Sequence, residues 1–151
     1  MGEQGATLAE FVRQSGPLRG QALHRLAVSC VAAMAKLHAR GTAGVRPGKE
    51  SVALGSRGQV LIGWEVAPAT GDTPGAEDVR AWADLVVFAA TGDEDGDVRA
   101  LPPALRIAIH QCRLPDPAAR PQAAEVLGVL LSRSMAAAVA SVDDLLARQA
   151  G

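Results

Sequence analysis

With 151 residues, 48% of them apolar, the chain is long enough for one domain with a proper core, since a chain of this size buries roughly 70% of its unfolded surface. Aromatic residues make up only 3%, so that core must be built from Ala, Leu and Val, which favours helix over sheet. A net charge of −1, with acids and bases interleaved, leaves no basic stripe for a nucleic-acid backbone, and apolar runs such as Leu85 to Ala90 and Ala136 to Ala140 fall far short of the roughly 20 residues that span a bilayer.

The surplus of Arg over Lys and the abundance of Ala fit a GC-rich bacterial genome and carry no functional weight. The N-terminus, with Glu3 and no apolar segment, does not read as a signal peptide. Cys30 and Cys112 lack the clustering that a zinc site needs. The expectation is a reduced, cytoplasmic protein with no metal, no cofactor and no direct membrane insertion.

In chain order, Thr7-Leu8-Ala9-Glu10 has the form of a capping box and predicts a short helix to Gln14, stopped at Ser15-Gly16-Pro17. Leu23, Leu26, Ala27, Cys30, Val31, Met34 and Leu37 recur at spacings of three and four, the apolar face of a longer helix ended by Gly41. Ser51 to Leu54 and Gln59 to Ile62 flank Gly55-Ser56-Arg57-Gly58 and predict one small β-hairpin. Pro68 to Gly75 is turn-rich. Asp78 to Thr91 reads as a helix apolar on most sides, hence buried, and ended by Gly92. Leu101 to Cys112 is a helix with Pro in its first turn, and Pro121 opens another through Val126, Leu127, Leu130 and Leu131. Ala136 to Ala150 reads as helical again.

Three stretches carry a resemblance. Cys112-Arg113-Leu114-Pro115-Asp116-Pro117-Ala118-Ala119-Arg120-Pro121, followed by Ala124-Glu125-Val126-Leu127, is similar to the Cys-Leu-x-x-Asp-Pro-x-x-Arg-Pro motif of bacterial Ser/Thr kinases. Leu37-His38-Ala39-Arg40-Gly41 is similar to the end of the helix that precedes the kinase catalytic loop. Asp78-Val79-Arg80-Ala81-Trp82-Ala83, closed by Thr91-Gly92, resembles the buried central helix of the same family. In order, from about Leu8 to Leu131, the chain thus resembles the C-terminal lobe of a protein kinase.

That resemblance implies a mainly α, C-lobe-like helical bundle over residues 1–133 with a helical tail over 134–151 and no N-lobe. It also implies that the catalytic residues are gone. The family's His-Arg-Asp falls on Gly44-Val45-Arg46, its catalytic-loop Lys on Gly48, its metal-binding Asn on Ser51 and its Asp-Phe-Gly on Gly63-Trp64-Glu65. Kinases need the first Asp to accept the substrate proton, and the second Asp with the Asn to hold Mg²⁺. Gly44 to Glu50 is no phosphate-binding P-loop either, having one residue too few between its glycines and Glu at the metal position. His38 and Asp78 are expected as a structural pair, and Arg120 as a structural residue that pairs with Glu77 or caps carbonyls.

The function expected is therefore a catalytically inactive pseudokinase that binds another protein or itself. The alternatives are a split kinase completed by an N-lobe in trans, and a fragment of a larger, membrane-attached pseudokinase. Candidate contact residues are Leu54, Ile62 and Trp64 about the hairpin, where a kinase N-lobe would press. Trp64 either folds into the core or stands exposed as an anchor. Further candidates are Leu131, Met135, Val142 and Leu145, on a stripe that continues from Leu127 into the tail. Thr70 and Thr73 lie where a kinase has its activation segment and are candidate phosphorylation sites.

Overall fold

A computed structural model describes residues 6–43, 45, 47–55, 60–64, 67–68 and 73–131. It opens with a two-residue strand β1 (Ala6–Thr7) that runs into helix α1 (Leu8–Ser15). The capping box forms: the Glu10 N–H donates to Thr7 Oγ1 at 3.2 Å, and the Thr7 N–H donates to Glu10 Oε1 at 3.1 Å. These bonds satisfy amides that a helix start leaves free, and the Thr7 N–H and hydroxyl donating to the Glu10 carboxylate hold it below its ordinary range.

Helix α2 (Gly20–Ala39) follows and buries Leu23, Leu26, Ala27, Cys30, Val31 and Met34. These are the residues that the spacing of three and four puts on one face. After α2 come β2 (Thr42–Ala43), the hairpin strands β3 (Val52–Leu54) and β4 (Val60–Ile62), and β5 (Ala67–Pro68). Helix α3 (Ala76–Thr91) buries ten of its sixteen residues. Such a helix must have neighbours on several sides, and it packs against both α2 and α4 (Pro103–Cys112). The last described element is α5, helical over residues 123–131, with Val126 and Leu130 in the common core.

Polar groups fix how α3 sits. Trp82, fully buried, donates its indole N–H to the Ala27 carbonyl of α2 at 3.0 Å. Arg113, just past α4, donates Nε to Asp84 Oδ1 of α3 at 2.9 Å and Nη2 to the Glu94 carbonyl at 2.7 Å. Gly92, at φ 86°, ends α3 with its N–H on the Phe88 carbonyl, a backbone region that glycine enters at little cost.

The mainly helical architecture agrees with the composition. The strands go beyond the one expected hairpin: β1 adds to β3, giving an antiparallel sheet in the order β1-β3-β4, and β2 pairs antiparallel with β5 in a second sheet. Two-residue strands are too short for any alternation of side chains to register in a sequence. Between α3 and α4 lies a single 3₁₀ turn, Val98–Ala100, and another, Pro117–Ala119, precedes α5.

Trp82→Phe should destabilise the protein by about 1 to 3 kcal/mol, since it removes a buried hydrogen bond and leaves the ring site underfilled. Urea unfolding with an unchanged slope should record the loss as a lower midpoint.

Candidate functional site

The most highly constrained cluster lies at the N-terminus of α3. His38, in the last turn of α2, donates Nε2–H to Asp78 Oδ2 across 2.9 Å, and Asp78 has no solvent exposure. A carboxylate that is fully removed from water is tolerable only when it is paired or hydrogen-bonded. Gly75 completes the cluster. Its φ is +88°, and a Cβ built there would lie 2.7 Å from His38 Cε1. The backbone therefore runs flat against the imidazole, and only glycine fits on both counts.

Arg120 meets the same corner from the other side. Its side chain is 2% exposed and donates Nε to the Leu114 carbonyl at 2.8 Å and Nη1 to the Ala76 carbonyl at 3.1 Å. Glu77 Oε1 is 3.5 Å from Nη1, and the Glu77 side chain is mostly exposed. The carbonyls are the closer partners, so Arg120 chiefly ties the turn before α5 to the first turn of α3. A groove of about 550 Å³ runs over this corner, with His38, Thr42, Gly75, Arg120 and Gln122 among its walls.

At the positions where the resemblance puts catalytic groups, backbone bonding dominates. Arg46 lies outside the described residues. Ser51 Oγ accepts from the Gly48 N–H at 3.0 Å and donates to the Gly48 carbonyl at 3.1 Å, while the Ser51 carbonyl accepts from the Gly63 N–H at 3.0 Å. The serine closes the turn, and Gly63 brings no side-chain ligand atom. Lys49 extends over the Phe88 ring, 4.9 Å from its centroid, and reaches Glu94 Oε1 at 3.8 Å. Among the described residues no three His, Cys, Asp or Glu side chains gather as a metal site would require. Cys30 and Cys112 are buried, and burial pushes each thiol up to about 12, so neither supplies a thiolate near neutrality.

The contact candidates divide. Leu54, Ile62 and Trp64 are half-buried, and Leu61 between them is 40% exposed. Trp64 thus lies between the two placements expected for it: its ring packs on the core, while its indole N–H is shut off from solvent with no hydrogen-bond partner among the described residues. On α5, Leu127 packs against the core and Leu131 is exposed. Met135, Val142 and Leu145 lie outside the described residues, as does Thr70, whereas Thr73 is exposed. Gly75 was the residue that sequence reasoning missed. Its signal, a Pro74-Gly75 turn three residues before Asp78, reads only as a loop until His38 is known to lie beneath it.

No protein-family model matches the chain, and no curated protein matches it.

Gly75→Ala should cost about 1 to 3 kcal/mol from strain alone, and part of the loss should vanish in a His38→Ala background, where the clashing ring is gone. Asp78→Ala should cost about 1 to 3 kcal/mol by leaving His38 without its partner. Thermal and chemical unfolding of the single and double variants would check both, and full additivity of Gly75→Ala with His38→Ala would contradict the steric account. Trp64→Phe, in contrast to Trp82→Phe, should cost less than about 1 kcal/mol, because the donor it removes has no partner among the described residues.

Proposed function

We propose that the chain is a catalytically inactive pseudokinase-like module, similar to a kinase C-lobe, that acts in the cytoplasm of a bacterium by binding another protein or itself. The observation that carries this reading is the use made of Ser51 and Gly63. The hydroxyl at the expected metal-ligand position is bonded in both directions to Gly48, and the other ligand position has no side chain. Phosphoryl transfer depends on metal ions and charged groups set around the phosphates, and neither position offers them. The order of elements supports the same reading: a long helix, a strand, a hairpin, a strand paired back to the first, and a central buried helix. So does the bond between His38 and Asp78, the pair that the resemblance implies. No described helix is long and apolar enough to cross a membrane.

A split kinase completed in trans is the weaker reading, since the groups that an N-lobe cannot supply are the ones replaced here. Titration with ATP and Mg²⁺ while following the melting temperature tests the inactive reading. A ligand at 100 times its dissociation constant stabilises by about 2.7 kcal/mol, so binding would be plain. The expected result is no saturable shift and no phosphoryl transfer, including in Arg46→Asp/Gly63→Asp. A saturable, Mg²⁺-dependent shift would overturn the reading.

A further inference from the structure

Among the described residues, strand β4 is an outer strand of its sheet, paired only with β3. The Gly63 N–H on the Ser51 carbonyl continues the register in which Val52 faces Ile62. Hydrogen-bonded and non-bonded positions alternate along an antiparallel pair. Ser51/Gly63 is a bonded position, so Ala53/Leu61 is the next, and the N–H and C=O groups of Val60 and Ile62 point away from β3. Among the described residues no backbone partner meets them. Sheet edges are ordinarily guarded by short length, a charge, a proline or a bulge, and of these the three-residue β4 has only short length to protect it. Val60-Leu61-Ile62 has no charge and no proline, and its middle side chain is 40% exposed.

We propose that this edge pairs with the same edge of a second copy of the chain, β4 against β4 and antiparallel, about a twofold axis through Leu61. The strand is complementary to itself in that register. With Leu61 opposite Leu61 of the partner subunit, Val60 lies opposite Ile62 of the partner subunit, and both carry outward N–H and C=O groups. Each such pair then exchanges both of its bonds. The two Leu61 residues occupy a non-bonded position, where Cα atoms approach to about 4.5 Å, so the exposed side chains cover each other. The contact also closes on itself, as a twofold interface must. The other outer strand is the two-residue β1, which leads directly into the capped start of α1. The inference stands on the geometry of the sheet and not on the kinase resemblance, so either can fail without the other.

Sedimentation of the full chain over a range of concentrations tests it, with Leu61→Lys and Leu61→Glu as variants. Leu61 is exposed, and unfolding curves would verify that both variants fold. The wild type should dimerise reversibly. Each variant alone should weaken the dimer at least about tenfold, because like charges then face each other across the axis. An equimolar mixture of the two variants should recover association, since opposite charges now meet. A wild type that stays monomeric throughout overturns the proposal and leaves the edge to a strand from a different protein. A dimer that neither variant weakens, or no recovery in the mixture, overturns it in favour of another face.

Discussion

A carboxylate with no solvent exposure, at the start of a helix that is itself buried, governs how the parts of this molecule meet. Asp78 cannot be left unpaired there, because an isolated buried charge costs several kcal/mol. His38 sits within hydrogen-bond reach as one of its partners, and the bond ties the last turn of α2 to the first turn of α3. The imidazole in turn occupies the space that a side chain at residue 75 would need. Arg120 then anchors on the Ala76 carbonyl from a position far along the sequence. The other end of α3 is held by the Leu18 N–H on the Ala89 carbonyl at 2.7 Å, and its middle by Arg113 on Asp84. A helix clamped at both ends and buried along its length is a strut, and the remaining elements are placed relative to it.

The polar side chains of this framework largely bond to backbone or to one another. Trp82 donates to Ala27, Arg120 to Leu114 and Ala76, and Ser51 to Gly48. Each of these groups contributes to a defined shape, and each is thereby withdrawn from chemistry on a substrate. That distribution suits the proposed binding role, in which the molecule offers a rigid surface. The half-buried apolar residues around β4 are then the natural contrast: they are close to the core without being closed over by it.

The helices were legible because their signals are local. Thr7 and Glu10 lie three residues apart and bond each other, and the apolar face of α2 repeats at the helical period. Gly92 stops α3 through its own backbone geometry. The pairing of His38 with Asp78 spans forty residues, and only the family resemblance suggested it. What stayed illegible depends on distant partners. Ala6-Thr7 becomes a strand only because β3 lies beside it, and Gly75 is constrained only because His38 is beneath it. For Arg120 the sequence left pairing with Glu77 and capping of carbonyls both open, and which carbonyls it reaches, those of Leu114 and Ala76, is something no sequence pattern marks.

The two thiols give the molecule an internal reporter of its own openings. Cys30 faces the core from α2, and Cys112 closes α4, so they sit in different layers around the same strut. Both are buried and held in the thiol form, so an alkylating reagent gains access through structural fluctuation. Equal modification rates at the two sites mean that the layers part together in one cooperative event, whereas a faster rate at Cys112 assigns the lower barrier to fraying of α4 alone. The chain thus carries, without any added label, a means of telling whether its framework opens as a whole or one helix at a time.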